Sequence, residues 1–236
     1  MRALVRGVAE ERITYGYRRV WAVLRRQRAV LVSRKRVRRI MKEEGLLREV
    51  HFPRPRLPAT GSQSAARPNE RWFSDITYLE TTDRGLVGLT VVEDACTREI
   101  LAWSLLPSCG AADVFQVLED AVLARFPRTG LAQGVSLRTD GGSQYTSNYF
   151  LDRARKLGVH VEAYRKVRPE DGGLIESFNG HWKQDYPWTR EPTTFLETRK
   201  LTGEWVVDYN EERPHSSLDY LTPAAFYQSW TKETKG

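Results

Sequence analysis

The sequence predicts an α/β protein in which a mixed five-stranded sheet with flanking helices follows a small helical domain. Three observations support this prediction. The strand-like and helix-like patterns after residue 69 follow the order βββαβαβα, positive charge is concentrated near the N-terminus, and a proline-rich stretch separates these two parts. We therefore expect an N-terminal domain at residues 1–50, a proline-rich linker at 51–69, and an α/β core with a C-terminal helical extension at 70–236.

The net charge of +7 is divided unevenly along the 236 residues. Residues 1–52 contain 15 lysines and arginines against five acidic residues, residues 53–69 add three arginines, and residues 70–236 sum to −6. This division is expected if the N-terminal part binds phosphates and the core binds cations, although a solvated charged face gives the same count. The sequence has no apolar run of about 18 residues and no signal-peptide pattern, so we expect a cytoplasmic protein with no membrane partner.

The N-terminal domain reads as two short amphipathic helices that face each other. The segments YGYRRVWAVLRRQ and SRKRVRRIMKEEGL each place apolar residues on one helical stripe. Ser33 is a suitable N-cap and Gly45 a suitable stop for the second helix, at residues 34–44. Its remaining positions carry cations, which favours a helix-turn-helix motif whose second helix lies on DNA over an ordinary basic helix pair. The candidate DNA-binding residues are Arg34, Lys35, Arg36, Arg38, Arg39 and Lys42.

The spacing of prolines predicts the linker, and the periodicity of apolar residues predicts the elements of the core. Four of the eleven prolines lie in residues 51–70, and no helix or ladder strand persists through that spacing, so an extended linker is expected. Three strand patterns then precede the first helical pattern, which predicts an antiparallel meander. The predicted core elements are strands at 71–80, 86–95 and 98–106, a helix at 111–125, a strand at 134–140, a helix capped by Ser147 and ended by Gly158, and a strand at 159–164.

Two acidic residues lie at strand positions where the presence of a charged side chain has to be explained. Asp75 falls in the middle of the first predicted strand, and Asp140 ends the fourth strand before two glycines. Each has an ordinary explanation, because an acid in a strand is usually on a surface edge and an Asp-Gly-Gly sequence makes a turn. Taken singly, neither residue predicts a site.

A third acid changes this interpretation. The segment that begins near Asp171 predicts a helix whose apolar face is formed by Ile175, Phe178 and Trp182. Glu176 lies off that face, on one stripe with an amide, a bare backbone position and a cation, because residues three, four and seven apart share a helical face. A stripe of this composition is suited to contact the phosphate group that reacts. Its further members are Asn179, Gly180 and Lys183.

At this point the chain resembles a known family, the DDE transposases of insertion sequences, specifically the B-frame product of the insertion-sequence-three family, whose core is related to retroviral integrases. The resemblance extends from YGYRRV through SRKRVRRIMKEEGL, RWFSDITYL, VVEDACTREILAW, RTDGGSQYTS and LIESFNGHWK to YNEERPHSSLDYLTPAAF. The 35 residues between Asp140 and Glu176 equal the family's spacing between its second and third acids. The chain differs in having no glycine in the turn QRAVLV, and glycine at position 141.

The resemblance implies a ribonuclease-H-like fold in which the first and fourth strands are neighbours. Asp75, Asp140 and Glu176 would then form a catalytic triad that holds two Mg²⁺ or Mn²⁺ ions, with Asp75 bridging both, Asp140 holding one and Glu176 the other. Clustered carboxylates repel one another without cations, and paired metal ions suit phosphodiester cleavage, so the chemistry agrees with the resemblance. Asn179 and Lys183 would steer the phosphate backbone.

The implied activity is metal-dependent strand cleavage and strand transfer at the ends of an insertion element. The implied partners are double-stranded DNA of the element ends and target, further copies of the chain on DNA, and an upstream-frame product as fusion partner. In a bacterial cell the protein would associate with the nucleoid. A noncatalytic DNA-binding regulator of transposition is the alternative, and it would bind DNA without cleaving it in any metal.

Four further residues receive structural interpretations. His215 lies among polar neighbours, but the metal mechanism needs no imidazole base, so we interpret it as a residue that stabilises a turn. Asp94 is interpreted as a strand-end residue that contacts Arg98. The cysteines, Cys96 and Cys109, have neither CxxC spacing nor a nearby histidine, so reduced thiols are expected rather than a disulfide or zinc site.

Overall fold

The computed structural model of the protein describes residues 1–47, 65–163, 182 and 193–234. The chain forms two compact units: the first is Met1–Arg56 together with Glu211–Gly236, and the second is Leu57–Asn210. From the sequence we expect the C-terminal extension to belong to the α/β core, whereas the structure groups it with the N-terminal helices. Helical periodicity identifies an extension but does not indicate which distant surface it contacts. Most of the predicted linker lies outside the described residues.

Three helices contribute to the core of the first unit. The second helix of the sequence prediction is present with both of its signals, since the Arg36 N–H donates to Ser33 Oγ (3.3 Å) and Gly45 has a φ of +68°. The predicted apolar stripes, which include Val20, Leu24 and Val37, are buried in one cluster. The helices are α1 (Arg2–Glu11), α2 (Tyr17–Ala22, continued by a π-helical turn at Val23–Gln27) and α3 (Arg34–Glu43).

Helix α1 is not among the two helices expected for this domain. It adds Val5, Val8 and Ala9 to the cluster, but charged residues interrupt this short stripe in the sequence. Its arginines pair with acids at the C-terminal end of α3, where Arg2 donates to Glu44 (3.1 Å). These exposed ion pairs add little stability individually, so apolar burial is the main reason that α1 packs here.

The second unit contains a five-stranded sheet of order β3–β2–β1–β4–β5. The first three strands form the predicted antiparallel meander, and β4 pairs in parallel with β1 on one side and with β5 on the other. The strands are β1 (Arg71–Thr81), β2 (Gly85–Asp94), β3 (Ile100–Leu106), β4 (Ser136–Thr139) and β5 (His160–Ala163). The helices of this unit are α4 (Ala111–Arg125), α5 (Ser143–Thr146), α6 (Asn148–Lys156) and α7 (Phe195–Glu211). The last helix of the chain, α8 (Pro223–Glu233), belongs to the first unit.

Each face of the sheet has its own apolar core. Trp72 and Leu137 point to the first face, where α4 and α6 pack. Phe73 and Val91 point to the second face, which carries Trp182 and the apolar side of α7. Side chains alternate between faces along a strand, so this division assigns a face to every residue of β1 and β4.

Candidate active site

Asp75 and Asp140 are brought together by the parallel pairing of β1 and β4. The register pairs Phe73 with Arg138 and Ser74 with Thr139, and the next positions are Asp75 and Asp140. Asp75 is also paired with Val91 of β2, whose side chain belongs to the second face. Both aspartates are half-buried. The adjacency of the first and fourth strands is therefore confirmed, and strand alternation assigns the carboxylate of Asp75 to the second face.

Asp140 also organises the turn that follows it. Its Oδ1 accepts a hydrogen bond from the backbone N–H of Gly142 at 2.9 Å, which is the geometry of an aspartate turn. Gly141 has a φ of +72°, a conformation that costs a glycine little. This hydrogen bond fixes the orientation of one carboxylate oxygen, so the turn and a role in a site are compatible.

A buried hydrogen bond lies beside the two aspartates. Tyr145 in α5 and Ser74 in β1 are each 1% exposed, and their hydroxyl oxygens are 2.8 Å apart. Burial raises the pKa of Tyr145 well above its ordinary value, and the negative charges of Asp75 and Asp140 raise it further. The phenol therefore stays protonated and available as a donor.

The third predicted acid, Glu176, and the predicted steering residues Asn179 and Lys183 lie outside the described residues. Trp182, from the same predicted helix, is 1% exposed and packs in the core of the second face, as its predicted apolar position requires. Its burial excludes it as a free surface for stacking on a base. Among the described residues, no group of three histidines, cysteines or acids is arranged to hold a metal ion.

The six predicted DNA-binding cations all lie on the exposed side of α3. Shallow depressions between them have volumes of about 320 and 400 Å³, the first lined by Ser33, Lys35, Arg36 and Arg39 and the second by Lys35, Arg38, Arg39 and Lys42. Arg39 lies 3.8 Å from Glu43 in an exposed i,i+4 pair. The guanidinium of Arg34 lies 4.2 Å from the centroid of Trp21, and that of Arg38 lies farther, 6.0 Å, from the centroid of Tyr17.

The residues that received structural interpretations stay outside this site. Asp94 ends β2 and accepts backbone N–H bonds from Asn69, Cys96 and Thr97 at 2.7–2.9 Å, while the Arg98 N–H donates to its carbonyl oxygen at 2.8 Å. The backbone of His215 closes a turn by accepting from Leu218 and Tyr220. Both cysteines are free thiols. In the described residues no helix is long and apolar enough to span a membrane.

Glu93 is a buried acid that the sequence reasoning missed. It is 1% exposed and sits opposite Phe73, one step along the second face from Asp75. Burial raises the pKa of Glu93 to about 8. The only signal in the sequence is its place beside Val91 and Val92 in a nearly continuous apolar strand, which is typical of a strand buried on both faces.

Models of known protein families match both the N-terminal part and the core of the chain. Two models described as "Integrase core domain" match residues 65–169 and 157–223, and one described as "HTH-like domain" matches residues 1–54. Transposase InsD of insertion element IS2A/D/F/H/I/K from Escherichia coli is 34% identical over 220 residues, which cover 90% of this chain and 73% of the relative. The InsD of IS2-9 from strain K12 is also 34% identical and is covered to 72%.

The chain belongs to the insertion-element transposases. This transposase is by family a DDE-type polynucleotidyl transferase with an integrase core, and its helix-turn-helix and integrase domains imply that it binds DNA. Two solved structures share the fold. An intasome of simian T-cell lymphotropic virus with PP2A regulatory subunit B56 gamma has a TM-score of 0.57 at 18% identity, over 87% of the transposase and 73% of that chain. The HTLV-2 integrase catalytic core in complex with magnesium has a TM-score of 0.51 at 15% identity, over 67% and 96%.

Proposed function

We propose that the transposase cuts and joins DNA at the ends of its element with the carboxylates of Asp75, Asp140 and Glu176. The observation that supports this most directly is the register of β1 and β4, which brings Asp75 and Asp140 to adjacent positions at the end of β4. Trp182 gives indirect support for Glu176, because its burial on the second face is what a helix with its apolar side on the sheet would produce.

The donor set fits divalent cations. Two half-buried carboxylates at adjacent positions of neighbouring strands supply the hard oxygen ligands that Mg²⁺ and Mn²⁺ prefer, and like charges this close repel each other in the absence of a cation. We propose two ions, which Asp75, Asp140 and Glu176 would hold. When bound, such ions supply Lewis acidity that activates an attacking hydroxyl and stabilises the leaving oxygen. The related fold of the HTLV-2 integrase core in complex with magnesium is consistent with this proposal.

In this mechanism the surrounding residues of the chain hold the catalytic carboxylates in position. The Gly142 N–H holds one oxygen of Asp140, and the Asp75 backbone is fixed between β2 and β4 by strand pairing. In the first reaction water attacks a phosphodiester, whose P–O3′ bond breaks to give a 3′ hydroxyl and a 5′ phosphate. In the second reaction that hydroxyl attacks a target phosphodiester and displaces the 3′ hydroxyl of the target strand. No protein side chain forms a bond to DNA in either step, so one site serves both reactions.

The exposed cations of α3 are proposed to bind the DNA duplex. Three of them, Arg34, Lys35 and Arg36, occupy the first turn, where the helix dipole already disfavours positive charge and where no acid compensates it. A phosphate would relieve that electrostatic cost. Asn179 and Lys183 are proposed to guide the DNA backbone at the catalytic site. We also propose that the protein recognises both element ends and target DNA and assembles as several copies on DNA. It would be fused to an upstream-frame product and would associate with the nucleoid.

The test is strand transfer of a pre-cleaved element end in Mn²⁺, with DNA binding measured beside it. Asp140→Asn keeps the shape of the side chain and its turn-forming ability but removes an anionic ligand, so we expect a loss of more than about 100-fold in rate with DNA binding retained. Asp75→Asn and Glu176→Gln should behave alike, and double variants should be little worse, because the three act as one unit. Asp152→Asn, an exposed acid of α6, is the matched control.

Strand transfer at the wild-type rate by Asp140→Asn would reduce this residue to a turn former and remove the proposed mechanism. Binding without cleavage by the unmodified protein, in every metal tested and also as the frameshift fusion, would leave the noncatalytic regulator as the function.

A further inference from the structure

A tight loop in the C-terminal segment presents an aromatic ring to the start of α3. The loop spans residues 215–221, and we call it the C-terminal loop. The backbone N–H of His215 donates to Leu221 O (3.0 Å), and the N–H of Tyr220 donates to His215 O (2.8 Å). Asp219 and Tyr220 have φ values of +49° and +63°. Two successive residues other than glycine in the left-handed region cost free energy, so surrounding contacts must hold the loop in this shape.

Those contacts form a cage around Arg34. The ring of Tyr220 lies 5.5 Å from that of Trp21, at an interplanar angle of 84°. The Arg34 guanidinium lies 4.2 Å from the Trp21 centroid and 5.0 Å from the Tyr220 centroid, within cation–π distance of both. Trp21 is fixed in turn, because its Nε1–H donates to Val32 O at 2.9 Å. Tyr220 is only 9% exposed.

Further contacts join the same segment to the N-terminal helices. Gln27 Nε2 donates to the Glu212 carbonyl at 2.7 Å, and Arg213, which is 2% exposed, stacks over Tyr15 at 5.6 Å. Arg26 pairs with Asp219 at 2.5 Å, but Asp219 is mostly exposed, so this pair contributes little. The buried contacts therefore locate the segment, and the Tyr220 ring completes the cage at the first turn of α3.

We propose that Arg34 is a positioning residue, held by Tyr220 of the C-terminal loop, that fixes the first turn of α3 for DNA binding by its neighbours. This inference rests on the proposed DNA-binding role of α3 and revises one member of its candidate set. The two rings restrict the movement of the Arg34 guanidinium toward a phosphate, although the residue itself remains exposed. Lys35 and Arg36 have no such partner in the contacts described for the first unit, and they line the depression on the exposed side of the helix.

The distinguishing measurement is the salt dependence of duplex binding by the full chain, from about 50 to 200 mM salt. Each lost phosphate contact reduces the slope of log K against log salt by about 0.9. We expect Lys35→Ala to reduce the slope by about that amount. Arg34→Ala and Tyr220→Leu should lower affinity several-fold at every salt concentration with the slope unchanged, and the double variant should be no weaker than either single variant.

Tyr220→Phe keeps the ring and should bind as the unmodified protein does, and Ser217→Ala, at an exposed position of the same loop, is the matched control. A second readout does not depend on DNA. Arg34→Ala should speed amide hydrogen exchange in the C-terminal loop, because it removes one wall contact of Tyr220, while Lys35→Ala should leave that exchange unchanged.

The outcomes distinguish the positioning role of Arg34 from the proposed DNA interface of α3. A reduced slope for Arg34→Ala, like that of Lys35→Ala, would make Arg34 a phosphate contact and overturn the positioning role, and so would unchanged hydrogen exchange in the loop. If no cation of α3 affects the slope, the proposed DNA interface fails. In that case faster exchange in Arg34→Ala still supports the cage, and unchanged exchange overturns it.

Discussion

At the scale of single residues, burial favours the neutral form of one acid of the second unit, Glu93. Glu93 is enclosed in the core of the second face, and its Oε2 has no hydrogen-bond partner among the described residues. Burial raises the pKa of Glu93 from its ordinary 4.5 to about 8, the negative charge of Asp94 adds to this rise, and the positive charge of Arg98 opposes it. A carboxyl group in this environment is protonated at neutral pH.

This burial predicts a pH-dependent stability. Between about pH 5 and pH 8 the folded protein keeps the Glu93 proton while the unfolded chain releases it, so the free energy of unfolding decreases as pH rises through this window. The slope contributed by one such group is at most about 1.4 kcal/mol per pH unit. Glu93→Gln should remove it and make the protein relatively more stable at pH 8. Urea unfolding at a series of pH values measures the effect.

Glu80→Gln, an exposed glutamate of β1, is the matched control and should leave the pH dependence of unfolding as it is. If Glu93→Gln retains the full decrease between pH 5 and pH 8, Glu93 is ionised in the folded protein and its burial does not have the stated effect.

The residues differ in how far the sequence could predict them. Asp75 and Asp140 were predictable as neighbours only through the family resemblance, which implies that the first and fourth strands are adjacent in the sheet. Glu93 was not, since a glutamate is usually exposed and only the packing of distant elements encloses it. Tyr220 was not, because its contacts with Trp21 and Arg34 join residues nearly 200 positions apart, and no local period reports such a contact.

At the scale of elements, the Ser74–Tyr145 hydrogen bond links β1 to α5. Ser74 precedes Asp75, and Tyr145 follows the turn that Asp140 begins, so this bond connects the supports of the two aspartates. The Tyr145 ring is held independently by an edge-to-face contact with Phe150, at 5.4 Å between centroids. Removal of the hydroxyl should therefore loosen the link without displacing the ring.

Tyr145→Phe is expected to change the metal requirement more than the maximal rate. One buried hydrogen bond contributes about 1 kcal/mol, so the Mn²⁺ concentration for half-maximal strand transfer should rise roughly five-fold, while the rate at saturating Mn²⁺ stays within about two-fold. The Mn²⁺ concentration that raises the melting temperature should increase in parallel. Tyr149→Phe, a partly exposed tyrosine of α6, should change neither. An unchanged metal requirement in Tyr145→Phe would show that the link does not affect the proposed site.

Elements with strong local signals were predictable, and those defined by packing were not. The strands β1 to β3, helix α4 and helix α3 lie within one or two residues of their predicted bounds, because alternation, helical stripes and capping residues all agree. The π-helical turn after α2 has no corresponding sequence signal. The helix predicted from Asp171 onward falls largely outside the described residues and remains a prediction, apart from the buried Trp182.

At the scale of the whole molecule, the first unit is assembled from both ends of the chain. The uneven charge distinguishes the N-terminal helices from the rest of the chain, but charge gives no reason to join residues 211–234 to them. Apolar contacts give that reason. Leu218 is 4% exposed and Tyr15 is 3% exposed, and each belongs to a segment that contacts the other end of the chain.

This discontinuous construction predicts how truncated chains behave. Removal of residues 1–56 alone uncovers Tyr220, and removal of residues 211–236 alone uncovers Tyr15 and Trp21, so each truncated chain should bind a hydrophobic dye and self-associate. Removal of both ends leaves Leu57–Asn210, which contains the complete sheet and both of its cores, and this fragment should unfold cooperatively and bind little dye. Size-exclusion chromatography, dye fluorescence and melting curves of the three proteins test this. The expectation fails if the chain lacking only residues 1–56 elutes as a compact, dye-free protein, because the C-terminal segment would then need no partner from the N-terminal helices.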